Sequence, residues 1–210
     1  GVPDGVIDDY DKTNIGSPMP KFTFGWTNTF RYKNFDLSVF INGSYGNKVY
    51  NYLSMKLTHM NSPWTNQLNA VNGRAQLVPI NPNKVYEDGT MWYNDVSNVM
   101  VANPGASIPR ATINDPNDND RISDRYIEDG SYIRLKNISL GYTFPKKTID
   151  KLGLSNLRIY ANIQNLLTIT GYDGYDPEIG ASTSSVNVYG LDNGRYPSPT
   201  VYSFGLNVSF

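Results

Sequence analysis

Between Lys21 and Tyr32 large apolar residues recur at alternate positions. Phe22, Phe24, Trp26, Phe30 and Tyr32 fall on one side, with Lys21, Thr23, Thr27, Thr29 and Arg31 on the other. A period of two marks a strand with one apolar and one polar face. After Lys33-Asn34 the pattern repeats, with Phe35, Leu37, Val39 and Ile41 opposed by Asp36, Ser38 and Asn42, so the two segments predict a hairpin with a very short connection. Alternation returns over Ser131–Phe144. There Ile138, Leu140, Tyr142 and Phe144 share a face while Ile133 and Leu135 have the opposite parity, which predicts a bulge near Lys136-Asn137 or an upper end that leaves the common face. A short connection, Pro145–Ser155, predicts a single helical turn closed by Gly153. A fourth strand follows, with Leu157, Ile159, Ala161 and Ile163 against Arg158, Tyr160, Asn162 and Gln164. The chain closes on Tyr202, Phe204, Leu206, Val208 and Phe210, alternating with Ser203, Gly205, Asn207 and Ser209.

The connections carry as much information as the strands. Residues 1–19 are rich in Pro, Gly and Asp and predict a loop. The segment from Gly46 to Gly130 loses the two-residue period apart from a possible helix over Val49–Leu57, and Thr168–Pro197 forms a second long loop. Taken in order, the connections run short, long, short, long, so all short turns lie on one side. Loops this long are abnormal in a compact soluble domain but ordinary on the outer side of a membrane barrel. If the short turns are periplasmic, Tyr32, Phe35, Tyr142, Phe144 and Phe210 gather at one interface as an aromatic girdle. The expected fold is all-β: an antiparallel transmembrane β-barrel fragment of about five strands, with long extracellular loops at about 46–130 and 168–198. Five strands cannot close a barrel, so further strands are expected before residue 1, and the start at Gly1 is read as a cut through a longer protein.

Composition supports strands and turns. Charged residues make up 18% of the chain, while Tyr (16) and Gly (18) are plentiful. A net charge of -1 leaves no basic field for nucleic acid, and that class is excluded. Without cysteine there is no disulfide framework, thiolate metal site or cysteine nucleophile. The longest apolar runs, such as Val99–Ala102, are far too short for a spanning helix. A soluble or surface-exposed β-sandwich that binds glycans is the alternative compatible with the same composition, and a purely structural barrel is a second.

No catalytic set is present. His59 is the single histidine and has no Gly-x-Ser-x-Gly partner, so it is read as a packed or solvated loop residue. Asp115, Asp118, Asp120 and Asp124 cluster without calcium-loop spacing and are expected to cap turns. Asp4, Asp8 and Asp11 resemble the second half of a calcium loop, which leaves two readings, a solvated turn and a structural calcium. Loop aromatics are the candidate binding residues, because sugar rings present apolar C–H faces to Trp and Tyr. They are Trp64, Trp92, Tyr93, Tyr172, Tyr175 and Tyr189, and packing onto the rim or a partner is the plainer alternative for each. Arg31, Arg134, Lys136 and Arg158 point inward, to line the lumen or to pair with a plug.

Five stretches carry a more specific resemblance: Asn14–Gly25, Lys33–Gly46, Ser123–Asn137, Ile159–Leu166 and Gly174–Glu178. Together they resemble the C-terminal part of the SusC/RagA family of TonB-dependent outer-membrane transporters, almost end to end, with the long middle loop matching only loosely. The resemblance implies a plugged barrel of about 22 strands in the outer membrane of Bacteroidota-type bacteria. It further implies import of oligosaccharides or peptides, a SusD-like lipoprotein as a lid, and energy from the TonB complex through an N-terminal part and plug outside this chain. Phe210 is then expected to end the barrel seam and to be the signal read by the outer-membrane insertion machinery.

Overall fold

The computed structural model describes residues 7–115, 117–179 and 188–210. They form two compact units. One comprises residues 7–13 with Tyr52–Tyr126, and the other Asn14–Asn51 with Ile127–Phe210.

Five long strands in the second unit make one sheet. They are β1 (Phe22–Tyr32), β2 (Phe35–Tyr45), β7 (Tyr132–Thr143), β8 (Asn156–Thr170) and β10 (Val201–Ser209), each antiparallel to its neighbour and arranged in chain order. Between them lie β3 (Lys48–Asn51), β6 (Ile127–Asp129) and β9 (Leu191–Asp192), which form a small sheet in the order β6-β3-β9. The first unit holds the helix α1 (Tyr52–Thr58) and the pair β4 (Leu77–Pro79) and β5 (Val99–Val101). The helix expected over Val49–Leu57 is therefore split, because β-branched Val49 and its neighbours pair as β3 before α1 begins. The fourth strand is longer than expected, reaching Thr170, so the second long loop begins at Gly171.

The tight turns have local causes. Lys33 takes a left-handed φ of 52° between the paired residues Tyr32 and Phe35, which closes the β1–β2 hairpin over two residues. The β7–β8 connection contains α2 (Lys146–Ile149) and a 3-10 turn over Asp150–Leu152, capped by Gly153 at φ 69°.

Register turns the alternation along each strand into rows across the sheet. Phe30, Leu37, Leu140, Ala161 and Phe204 are consecutive partners, as are Asn28, Val39, Ile138, Ile163 and Tyr202, and Tyr32, Phe35, Tyr142, Ile159 and Leu206. One face is thus apolar in nearly every row. The other face carries Thr29, Ser38, Ser139, Asn162 and Ser203 in one row and Arg31, Asp36, Gly141, Tyr160 and Gly205 in the next. The expected bulge is present: pairing shifts between Leu135 and Asn137, with Asn165 opposite at φ 52°. One extra residue at Lys136 returns Ile133 and Leu135 to the face of Ile138.

Burial runs opposite to that of a soluble sandwich. On the apolar face Phe30 is 55% and Phe204 84% exposed, whereas the most covered side chains of the sheet's polar face include Arg134 at 3%. Aromatic residues band the apolar face at both ends. Phe22 packs on Tyr45 (ring centroids 5.4 Å apart) at one end, and Phe35 on Tyr142 (4.7 Å) and Tyr142 on Phe144 (5.0 Å) at the other. An 11-residue strand tilted by about 45° climbs about 25 Å, the height of the apolar band on outer-membrane barrels. Among the described residues no helix is long and apolar enough to cross a membrane, which says nothing about crossing by strands.

Candidate functional site

In the second unit the candidate site is the polar face of the sheet. Gly141 lies between Asp36 and Tyr160 in register, and without a side chain there the Arg158 guanidinium reaches over β7 to Asp36. The pair is bidentate, Nη2 to Oδ2 at 2.5 Å and Nε to Oδ1 at 3.1 Å. Arg134 stands further along β7. It donates from Nε to Thr168 Oγ1 (2.8 Å), from Nη1 to Glu178 Oε2 (2.6 Å) and from Nη2 to Asp176 Oδ1, and Lys136 also donates to Glu178 (2.7 Å). Asp176 and Glu178 belong to the Gly174–Glu178 stretch, so the segment after β8 folds back onto the sheet through a buried ion cluster. Asp176 Oδ2 also accepts from the Ser198 N–H at 2.9 Å, which ties both ends of this loop to one carboxylate. Three of the inward charges expected to face the lumen or a plug, Arg134, Lys136 and Arg158, are thus paired within the chain itself.

The same loop is fastened a second time. Tyr172 is buried, and its hydroxyl donates to Asp192 at 2.6 Å, while Asp192 Oδ1 accepts from the Gly194 N–H at 2.9 Å. Burial first, then the Asp192 carboxylate, push the Tyr172 phenol well above its ordinary pKa. For Asp176 burial works toward protonation, but the Arg134 hydrogen bond and the Ser198 and Glu178 N–H groups outweigh it and hold the carboxyl below its ordinary range. A carboxylate with its folded pKa depressed stabilises the fold above its unfolded pKa, about 3.9, and that stabilisation is lost as pH falls through the folded value. Hydrogen exchange over residues 171–179, corrected for the intrinsic effect of pH, is expected to stay slow at pH 6 and to accelerate below about pH 4. Equal protection at both would mean the cluster does not hold the loop.

The first unit holds a separate candidate site of its own, a cleft of about 400 Å³ lined by Pro79, Asn81, Lys84, Tyr86, Met91 and Trp92 among others. A polar network fixes its floor. Asn98, 4% exposed, accepts from the Asn81 N–H (2.8 Å) and donates to the Asn81 carbonyl (3.1 Å) and the Tyr86 hydroxyl (2.9 Å). Tyr86 in turn donates to Asp95 Oδ2 (2.9 Å), which also receives Lys84 Nζ (2.5 Å), while Ser97 N and Oγ occupy Oδ1. Lys84, Ser97 and Tyr86 together hold the Asp95 carboxyl far below its usual range.

The aromatics singled out from sequence meet different fates. Trp92 lines this cleft, its ring edge-on to Tyr93 with centroids 5.7 Å apart. Trp64 is 93% exposed in the same unit, and Tyr175 and Tyr189 are exposed in the other. Tyr172 is interior to its loop, so its ring is committed to packing. Phe210 follows β10 directly, exposed, its carbonyl accepting from Ser155 Oγ at 3.2 Å.

His59 is held by carboxylates on both ring nitrogens, Asp115 Oδ2 at 2.8 Å from Nε2 and Asp120 Oδ2 at 3.9 Å from Nδ1. Asp115 also caps the turn at Asn119 through the Asn119 N–H and side-chain amide. Ligand atoms of His59, Asp115 and Asp120 lie within 4.8 Å of one another, with hydrogen bonds joining Asp115 to His59 and to Asn119. Asp8 and Asp11 are used locally: the Asp8 side chain accepts from the Tyr10 N–H (2.8 Å) and the Asp8 N–H donates to Asp11 (2.9 Å). Asp4, the third member of the suggested calcium loop, lies outside the described residues.

Two faces of opposite polarity, an uncovered apolar one banded by aromatics and an inner one crossed by ion pairs, define the wall of a membrane β-barrel. The relatives are of that class. The chain is 36% identical to TonB-dependent receptor P3 of Formosa agariphila, matching 98% of this chain and 18% of that protein. It is 29% identical to TonB-dependent receptor SusC of Bacteroides thetaiotaomicron, over 98% of this chain and 17% of that protein. Among solved structures it superposes on the RagAB peptide transporter with a TM-score of 0.67 at 20% identity, covering 94% of this chain and 18% of that one. No family model matches. The chain belongs to the SusC/RagA family of TonB-dependent receptors and spans less than a fifth of the length of these relatives.

Proposed function

We propose that this chain is the C-terminal stretch of the barrel of an outer-membrane importer, with the apolar rows facing lipid and the polar rows facing the lumen. The observation that carries this reading is the set of largely apolar rows across five strands, with side chains such as Phe30, Phe204 and Leu206 outward and exposed and Arg134 and Arg158 paired inward. In a water-soluble sandwich those rows would be covered by a second layer; in a membrane they need none. On this reading the whole receptor takes up nutrients, oligosaccharides or peptides. TonB energises it through its N-terminal part, and a SusD-like lipoprotein closes over the loops. The names of the relatives support this, SusC as a TonB-dependent receptor and RagAB as a peptide transporter. Half-buried Trp92 and the exposed loop aromatics Trp64, Tyr93, Tyr175 and Tyr189 are the side chains offered to cargo or lipoprotein.

Deleting the gene should abolish growth on one class of oligosaccharide or peptide within a carbon-source panel. The full-length gene should restore it, whereas a version without the TonB-contacting segment should not. Equal restoration by both would contradict energised import.

A further inference from the structure

We propose that the cleft around Tyr86 and Trp92 is a subsite for neutral carbohydrate. This deepens the import reading, on which it rests, by committing one loop site to one of the two cargo classes. Three features of the cleft point to a sugar.

The first is a rigid aromatic floor. The Tyr86 hydroxyl donates to Asp95 and accepts from Asn98, and the Lys84 ammonium lies over its ring, 5.3 Å from the centroid, so the ring is anchored at its tip and on one face. Trp92 lines the same cleft, braced edge-on by Tyr93. Aromatic faces carry partial negative charge and accept the weakly positive C–H face of a pyranose. Because Asn98 and Asp95 fix these groups before any ligand arrives, little ordering remains to be done on binding.

The second feature is the choice of polar groups at the rim. Lys84 gives one N–H to Asp95 and keeps two. Asn81 Oδ1 is taken by the Asn83 N–H at 3.0 Å, which leaves the amide hydrogens of Asn81 to donate. These are donors placed beside ring faces, suited to hydroxyl and ring oxygens.

The third feature disfavours a peptide. No carboxylate lines the cleft, and Asp95 beneath it is filled by Lys84, Tyr86 and Ser97, so an α-ammonium would find no counter-charge. An extended backbone would need a free strand edge, but Pro79 and Pro82 at the cleft wall have no N–H to give. Paired as it is with Asp95, Lys84 also supplies no net positive field for an anionic polymer. The volume, about 400 Å³, lies in the range of small-ligand sites.

The test uses the full-length receptor in detergent, with an array of neutral gluco-, manno-, galacto- and xylo-oligosaccharides and a matched array of uncharged peptides. Wild type is expected to bind at least one neutral oligosaccharide. Trp92→Ala and Tyr86→Ala should weaken that binding at least tenfold, while Tyr196→Ala, exposed in the other unit, leaves it unchanged. A heat-modifiable gel shift shows that each variant still forms its barrel, which separates failure of the subsite from failure of the barrel reading. Three results overturn the subsite: sugar binding indifferent to Trp92 and Tyr86, binding of peptides only, or no binding to either array by a correctly folded receptor.

Discussion

Ile138→Arg in the full-length receptor is expected to prevent assembly, whereas Ser139→Arg, one residue along the same strand, is expected to be tolerated. Ile138 lies in the row Asn28, Val39, Ile138, Ile163 and Tyr202, about midway between the two aromatic bands. An arginine at that depth on the lipid face costs about 2–4 kcal/mol, enough to remove much of a typical domain's stability. On the other face the same charge meets water or the existing polar groups. Depth adds a second, graded expectation: Leu206→Arg, in the row of the short-turn girdle, should be milder than Ile138→Arg, because the penalty falls toward about 0–1 kcal/mol near the interface. The fraction of receptor migrating as a heat-modifiable band in isolated outer membranes reads both. Loss of assembly for Ser139→Arg equal to that for Ile138→Arg would reverse the assignment of faces.

Arg134→Met is expected to release the loop after β8 without dissolving the sheet. Its guanidinium holds Asp176 and Glu178 while 3% exposed, so its removal leaves the buried Asp176 carboxylate without its cation, Lys136 remaining on half-buried Glu178. Breaking a buried pair from one side costs about 3–5 kcal/mol, more than the pair itself contributes. Hydrogen exchange over residues 171–179 should therefore rise steeply in Arg134→Met and in Asp176→Leu. The double variant should recover much of the protection, since no unpaired charge remains. Purely additive losses would show that the two side chains do not act as a pair. The same cluster explains why a Gly-Tyr-Asp-Pro-Glu stretch stands in a loop: Pro177 fixes the backbone between two carboxylates that converge on one arginine.

The long strands were legible because their information is local and periodic. Phe22 to Tyr32, or Tyr202 to Phe210, state their two faces by alternation alone, and the parity break at Leu135 predicts the bulge at Lys136 that register then requires. The order of the strands followed from the connection lengths, since short turns join neighbours. What was not legible depends on contacts distant in sequence. The carboxylate partners of Arg134 lie more than 40 residues away, and nothing in the spacing of Arg134, Asp176 and Glu178 announces a cluster. The floor of the cleft is similar: Asn98 meets Asn81 across the β4–β5 pair, and both residues read from sequence as ordinary turn formers. Tyr172 shows the limit from the other side. Composition places a tyrosine in a loop, but only the fold shows its hydroxyl buried on Asp192.

The two-faced wall can be tested most directly along β7. The chain contains no cysteine, so single cysteines can be placed at each position from 132 to 142 in a full-length receptor otherwise free of them. Outer membranes are then treated with a water-soluble maleimide. Labelling should alternate, with 137, 139 and 141 reactive and 138, 140 and 142 protected. The phase should slip by one residue at Lys136, making 134 and 132 the aqueous positions and 135 and 133 the protected ones. Uniform labelling along the strand, or alternation without the slip at 136, would contradict a lipid-facing row carried past a bulge.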